Sequence, residues 1–440
     1  MEISRRRRIL ALALPIVGGM VSQNVLNLVD TAMVGTLGDA ALAAVGLGGF
    51  VVFMSMALII GISTGVQATA ARRVGEGRHD RSAVPLNAGL LIVFITAPLL
   101  SALIYFSLPA AFPLLNPDPQ VIEQGLPYLR WRILGIVFVG VNFAFRGYWN
   151  AVDRSMLYMS TLIVMHTVNI VLNYVFIFGH FGAPALGVGG AGLASALSTV
   201  VGAVVYLLLG LKYARNAGFL QGLPARSEVI TLARLSLPSS LQQFFFAAGF
   251  TVLYWIIGQI GTQELAAASV LVTVMLVAVL PGMAFGLAAT TLVGQALGRN
   301  DVDGASAWAW DVARIAVIGL ALLGIPMWLT PDLVLAPFIH NPDTVALART
   351  PMRLVGLSMA FEALGLVLMN ALLGAGDARR VMLVSIGFQW IVFLPLAYLL
   401  GPVLGLGLSA VWALNVVYRS GVGAIFVVLW RQRAWAQIKV

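Results

Sequence analysis

The sequence predicts an all-α polytopic membrane protein, with twelve transmembrane helices in two pseudo-symmetric six-helix lobes. Three observations predict it. Hydrophobic residues make up 60% of the chain and charged residues only 10%, where a soluble domain carries roughly 25% charge. Twelve apolar segments run along the 440 residues, each near the ~20 residues that a spanning helix needs. The second half also repeats the first: Leu12–Pro15 (LALP) recurs as Leu235–Pro238 (LSLP), an offset of 238 − 15 = 223.

The first segment, 9–35, follows the basic run Arg5–Arg8. It exceeds the roughly 7–15 residues of a signal-peptide core, so it reads as a span rather than a cleavable leader. Segments 45–71, 86–112, 126–149, 157–179 and 187–211 complete a first lobe, expected over 1–212. The charged stretch that follows reads as a cytoplasmic linker, 213–229. Segments 230–259, 265–294, 308–338, 350–373, 380–402 and 404–430 make a second lobe, expected over 230–440. The repeat continues in register: Gly35–Gly38 and then Leu42 align at the same offset with Gly258–Gly261 and Leu265. Asp153 aligns with Asp377 at an offset of 224. Six helices are therefore duplicated in parallel orientation, an architecture that works by rocking one lobe against the other.

Arginines set the orientation. Arg5–Arg8, Arg72, Arg73, Arg78, Arg81, Arg154, Lys212, Arg215, Arg226, Arg234, Arg299, Arg314, Arg379 and Arg380 fall on one side, with Arg431, Arg433 and Lys439 closing the chain. The alternate connections hold Asp39, Asp118, Glu123, Glu264, Asp332 and Asp343, with Arg130, Arg132, Arg349 and Arg353 as exceptions. By the positive-inside rule both termini are cytoplasmic. The net charge of +9 is thus topology rather than a nucleic-acid footprint. The absence of cysteine excludes disulfides, thiolate metal sites and thiol catalysis.

Two carboxylates stand within apolar segments, Asp30 in the first and Glu362 in the tenth. An intramembrane charge costs about 2.5–3.5 kcal/mol on insertion scales, so it is kept where it pairs, lines a wet cavity or titrates. Gln23, Asn27 and Asp30 fall at i, i+4 and i+7, one polar stripe on an apolar helix. His166, Asn169 and Asn173 make a second stripe on the fifth segment. If the stripes face each other, Asp30 meets two carboxamides. That set can hold a proton, because a buried acid is costly to leave ionised. Its oxygens suit a hard cation such as Na+ equally well. We therefore expect cation coupling at Asp30, Asn169, Asn173 and Asn27.

The second lobe is asymmetric: Leu253 stands at the counterpart of Asp30, and Phe138 at that of Glu362. Ser358 precedes Glu362 by one turn, while Gln242, Gln243, Ser269 and Thr273 lie on the seventh and eighth segments. Phe244, Phe245, Phe246, Tyr254, Trp255 and Trp390 are the nearby aromatics. A carboxylate beside aromatic faces suits a lipophilic cation through charge pairing and cation–π attraction. Glu362, Gln23, Gln243, Phe246 and Trp255 are the expected substrate contacts.

The stretches 13–38, 145–159, 168–179, 187–198 and 292–301 together resemble the multidrug and toxic compound extrusion (MATE) family, within the multidrug/oligosaccharidyl-lipid/polysaccharide exporter superfamily. The resemblance covers essentially the whole chain. It implies cation-coupled export of varied, often cationic, organic compounds by alternating access. Asp30 then matches the first-helix acid, Pro15 the proline near which that helix bends, and Asn169 the fifth-helix asparagine. Asn173 stands where some members carry a second aspartate, and Phe246 where sodium-coupled members carry a glutamate. Glu362 fills the tenth-helix acid position. The pattern fits neither coupling type fully, so H+ and Na+ both stay open.

Rival functions differ in their residues. A lipid-linked saccharide flippase would line its cavity with Arg or Lys for pyrophosphate; no basic residue reads as clearly mid-helix, Arg146 coming nearest. A membrane hydrolase needs a nucleophile–base set or metal ligands, whereas His79, His166, His180 and His340 are scattered without HExxH or GxSxG. The chain is thus read as a monomeric inner-membrane antiporter, not an enzyme. It needs no cofactor beyond its coupling ion, and its partners are small organic substrates and membrane lipid, not nucleic acid.

Overall fold

The computed structural model describes residues 3–438; Lys439, counted above among the closing basic residues, lies outside them. The chain runs through α1 (Ile3–Gly35), α2 (Asp39–Gly75), α3 (Val84–Leu115), α4 (Pro119–Leu134), α5 (Ile136–Ala151), α6 (Ser155–Phe178) and α7 (Gly187–Tyr213). It continues through α8 (Arg226–Gly258), α9 (Thr262–Gly298), α10 (Val302–Leu329), the short α11 (Pro331–Leu335) and α12 (Pro342–Ala375). It ends with α13 (Ala378–Gly387), α14 (Leu394–Tyr398) and α15 (Gly407–Arg431). Among the described residues eleven helical stretches are long and apolar enough to cross a membrane, and the bent pair α4–α5 makes a twelfth. The protein is an integral membrane protein of the all-α class.

Two spans depart from straight helices. The segment expected to be continuous over 126–149 breaks at Gly135, where α4 and α5 are bent by 47°. Glycine is a common cause of such kinks, and here it also lets the backbone approach α7: a Cβ on Gly135 would lie 3.3 Å from the Cα of Ala196. The segment expected over 380–402 contains two wide π-helical stretches, Phe388–Phe393 and Leu399–Val403. Each accompanies a proline, Pro395 or Pro402, which lacks an N–H and crowds the carbonyl four residues back. Widening the turn relieves both problems.

The chain forms two compact units. One comprises Pro15–Ser240; the other takes the residues through Leu14 together with those from Leu241 onward. The divisions thus fall inside α1 and inside α8, not at the charged connection between α7 and α8. Local contacts explain this. Arg5 Nε lies 2.8 Å from Asp311 on α10, with its guanidinium 4.0 Å from the Trp308 ring, and Arg8 bonds Gln295 on α9. Glu228, at the start of α8, pairs with Arg73 of α2 at 2.7 Å. A Cβ on Gly61 of α2 would lie 2.3 Å from the Ser236 carbonyl, so only glycine fits that helix contact.

Candidate functional sites

In the Pro15–Ser240 unit the stripes of α1 and α6 meet, a contact that their periodicity left as a condition. Asn173 Nδ2 donates to Asp30 Oδ1 at 2.6 Å and to Asn169 Oδ1 at 3.0 Å. Asn169 Nδ2 reaches Ser195 Oγ and Ser198 Oγ of α7, at 3.3 and 3.2 Å. His166 is held at both ring nitrogens, by Ser22 Oγ at 2.7 Å and Gln23 Oε1 at 3.1 Å. Asn169 and Asn173 are buried, while Asp30 is half-buried. The Asn173 Oδ1 is buried with no hydrogen-bond partner, an acceptor close to the Asp30 carboxylate. A proton on Asp30, or a cation taking oxygen from both residues, would fit there.

Two of the expected residues stand apart from the acid. Asn27 is exposed, and its Oδ1 accepts from Gln23 Nε2 at 3.2 Å rather than joining Asp30. Gln23 is occupied by Asn27 and His166, both of this unit. A cation that sequence reading did not place with Asp30 is Arg132, which belongs to the same unit. It lies in the last turn of α4, beside the Gly135 bend. The signal was available: Arg132 is one of the few cations on the acidic side of the topology.

In the other unit Glu362 is not the lone charge that was expected. Arg419, at the midpoint of α15, donates Nε to Glu362 Oε2 at 2.6 Å and Nη2 to Oε1. The reading that no basic residue falls mid-helix is therefore corrected. One arginine in an otherwise apolar segment barely moves its average hydropathy, which is why segment limits concealed it. The pair is well buried, with side-chain exposures of 16% and 8%. Such geometry satisfies each charge locally, so neither stands free to a monovalent ligand.

Beside Arg419 lies a small cavity lined by Phe246, Phe250, Gln389, Phe393, Asn415 and Tyr418, among others. Its volume of about 10 Å³ is near the least that holds one water. Gln389 Nε2 donates to the Phe246 carbonyl at 3.3 Å, and Trp390 Nε1 to the Phe245 carbonyl at 3.1 Å. Phe393 stacks on Tyr418 with centroids 4.8 Å apart. The Phe246 ring lies 6.0 Å from the Arg419 guanidinium, which in turn holds Glu362. Trp255 does not line this cavity; it is 57% exposed and stacks on Tyr398. Gln243 is absent from the cavity lining, whereas its neighbour Gln242 bonds Ser385 Oγ at 3.3 Å. Ser358 and Thr273 are spent on carbonyls of their own helices.

A helical membrane fold that carries charged side chains inside its spans is the architecture of a membrane transport protein. The MatE family model matches residues 15–175 and again 238–399. The chain belongs to the MatE family. The two matches begin 238 − 15 = 223 residues apart, the offset of the internal repeat. A probable multidrug resistance protein NorM of Thermotoga maritima is 26% identical over 98% of this chain and 94% of its own length. Its namesake in Pseudomonas aeruginosa is 28% identical over 92% of this chain and 85% of its own. Among solved structures, an outward-facing multidrug resistance MATE family transporter of the MOP superfamily superposes with a TM-score of 0.89, at 22% identity over 99% of this chain and 97% of its own. A MOP superfamily transporter from Pyrococcus furiosus gives 0.87, at 22% identity over 98% and 96%. At that identity these two establish the fold.

Proposed function

We propose that this protein is a secondary antiporter of the bacterial inner membrane that exports varied organic compounds in exchange for H+ or Na+ bound at Asp30. Relatives named as multidrug resistance proteins, alignable over nearly the full length, support the efflux reading. The observation that carries the coupling reading is the network Asp30–Asn173–Asn169, which ties an intramembrane acid to two carboxamides of another span. Occupancy of that site changes the charge on Asp30, and a change of charge in a poorly solvated place is what biases one arrangement of helices over another. The mid-helix cation Arg419 is already neutralised by Glu362 and offers no free charge to pyrophosphate, which weighs against the lipid-linked saccharide alternative in the second unit.

The test is dye efflux by purified protein in liposomes, with proton and sodium gradients imposed separately. One gradient should drive accumulation against the dye's own gradient. Asp30→Asn, which keeps shape and hydrogen-bonding capacity, should abolish uphill transport while leaving expression and folding nearly intact. Uphill transport at the wild-type rate by Asp30→Asn would remove Asp30 from the coupling role.

A further inference from the structure

We propose that the second unit recognises zwitterionic organic compounds by exchanging its internal ion pair for two ligand contacts, a carboxylate on Arg419 and an ammonium on Glu362. The inference rests on the efflux reading above and names the substrate class of this site. Its basis is the two-point engagement of Glu362 by Arg419, through Nε and Nη2, at mid-span of both α12 and α15. The Nη1 edge of the guanidinium takes no part in that engagement.

A monocation binding at Glu362 must compete with Arg419 and leaves that guanidinium without a carboxylate. Orphaning one partner of a buried pair carries a penalty of about two orders of magnitude in affinity, or more. A monoanion on Arg419 orphans Glu362 in the same way. A zwitterion is the one ligand that leaves each buried charge with an opposite partner. A neutral compound leaves the pair intact and gains no charge contact from it. The pair therefore acts as a filter for compounds carrying both charges a few ångströms apart on an apolar body.

The surroundings suit such a body. Phe246 lies 6.0 Å from the Arg419 guanidinium and edge-on to Phe250 at 5.1 Å. Asn415 and Gln389 add polar groups to the same lining. In this conformation the cavity has room for about one water, so ligand entry requires the wall to move. Gln389 and Phe393 belong to the π-helical stretch Phe388–Phe393, a kind of local irregularity that is frequent at functional sites.

Three forms of one fluorophore test this: Nε-dansyl-lysine (a zwitterion), its methyl ester (a cation) and its Nα-acetyl derivative (an anion), titrated against protein in nanodiscs. Wild type should bind the zwitterion at least about tenfold more tightly than either other form. Glu362→Gln should turn the preference toward the acetyl anion, and Arg419→Gln toward the ester. Glu362→Gln/Arg419→Gln should bind all three within about threefold, because neither charge remains. If the single variants fail to fold, wild type and the double variant still decide. Equal binding of the three forms by wild type, no binding of any, or a zwitterion preference that survives in the double variant would overturn the proposal. In parallel, gradient-driven export of an unrelated dye separates the two readings: its presence leaves the efflux function standing whatever the dansyl series gives, and its absence removes that function itself.

Discussion

Asn173 gives one amide group to two acceptors and leaves its own oxygen buried and unpartnered. A hydrogen bond to a charged group contributes about 1.5–3 kcal/mol, so Asn173→Leu should lower gradient-driven efflux by at least about tenfold. Ser195→Ala removes one of the two hydroxyls on Asn169 and keeps Ser198; its efflux should fall less than about threefold. Initial efflux rates in liposomes, normalised to inserted protein, make the comparison. Wild-type rates for Asn173→Leu would detach the amide from the ion site. Asp30 and Asn173 could be considered together from sequence because each lies on a polar stripe of an apolar helix, although the sequence left open whether the two stripes meet. The Glu362–Arg419 pair could not, since its partners lie on different helices with no common period, and an acid read alone looks like a free one.

At the level of whole helices, apolar length and the internal repeat placed the spans, while their irregularities depended on tertiary contact. Gly135 is one of 46 glycines, and nothing in its sequence context marks it as the 47° bend between α4 and α5. The same contrast yields a stability prediction. A Cβ on Gly147 of α5 would lie 2.3 Å from the Ser63 carbonyl of α2, a backbone atom that cannot swing away. On Gly46 of α2 it would meet nothing within 4 Å. Gly147→Ala should therefore separate α5 from α2 and destabilise the unit by about 1–3 kcal/mol or more. Gly46→Ala should be neutral or stabilising by up to about 1 kcal/mol, because alanine is the better helix former. Thermal unfolding in detergent distinguishes them; equal midpoints would mean that α2 and α5 are not in close backbone contact.

For the molecule as a whole, the arginine asymmetry makes the prediction. The Arg72–Arg81 stretch and the connection before α8 carry the basic residues that the positive-inside rule assigns to the cytoplasm. Their ion pairs give no independent orientation, since Arg73–Glu228 would form on either side of a membrane. The chain has no cysteine, so single engineered cysteines report sidedness without background. Gly77→Cys and Gly222→Cys, both exposed at glycines whose added Cβ meets nothing within 4 Å, should be shielded from a membrane-impermeant maleimide in intact cells and react after permeabilisation. Gly77 has a φ of 75°, which makes that cysteine strained, so Gly222 carries the greater weight. Asp118→Cys and Asp343→Cys, at the starts of α4 and α12, should react in intact cells. The reverse pattern would invert the topology and put the chain's basic face outside. It would leave the Asp30 and Glu362–Arg419 geometry untouched, because those contacts lie within single units and carry no information about which side of the membrane they face.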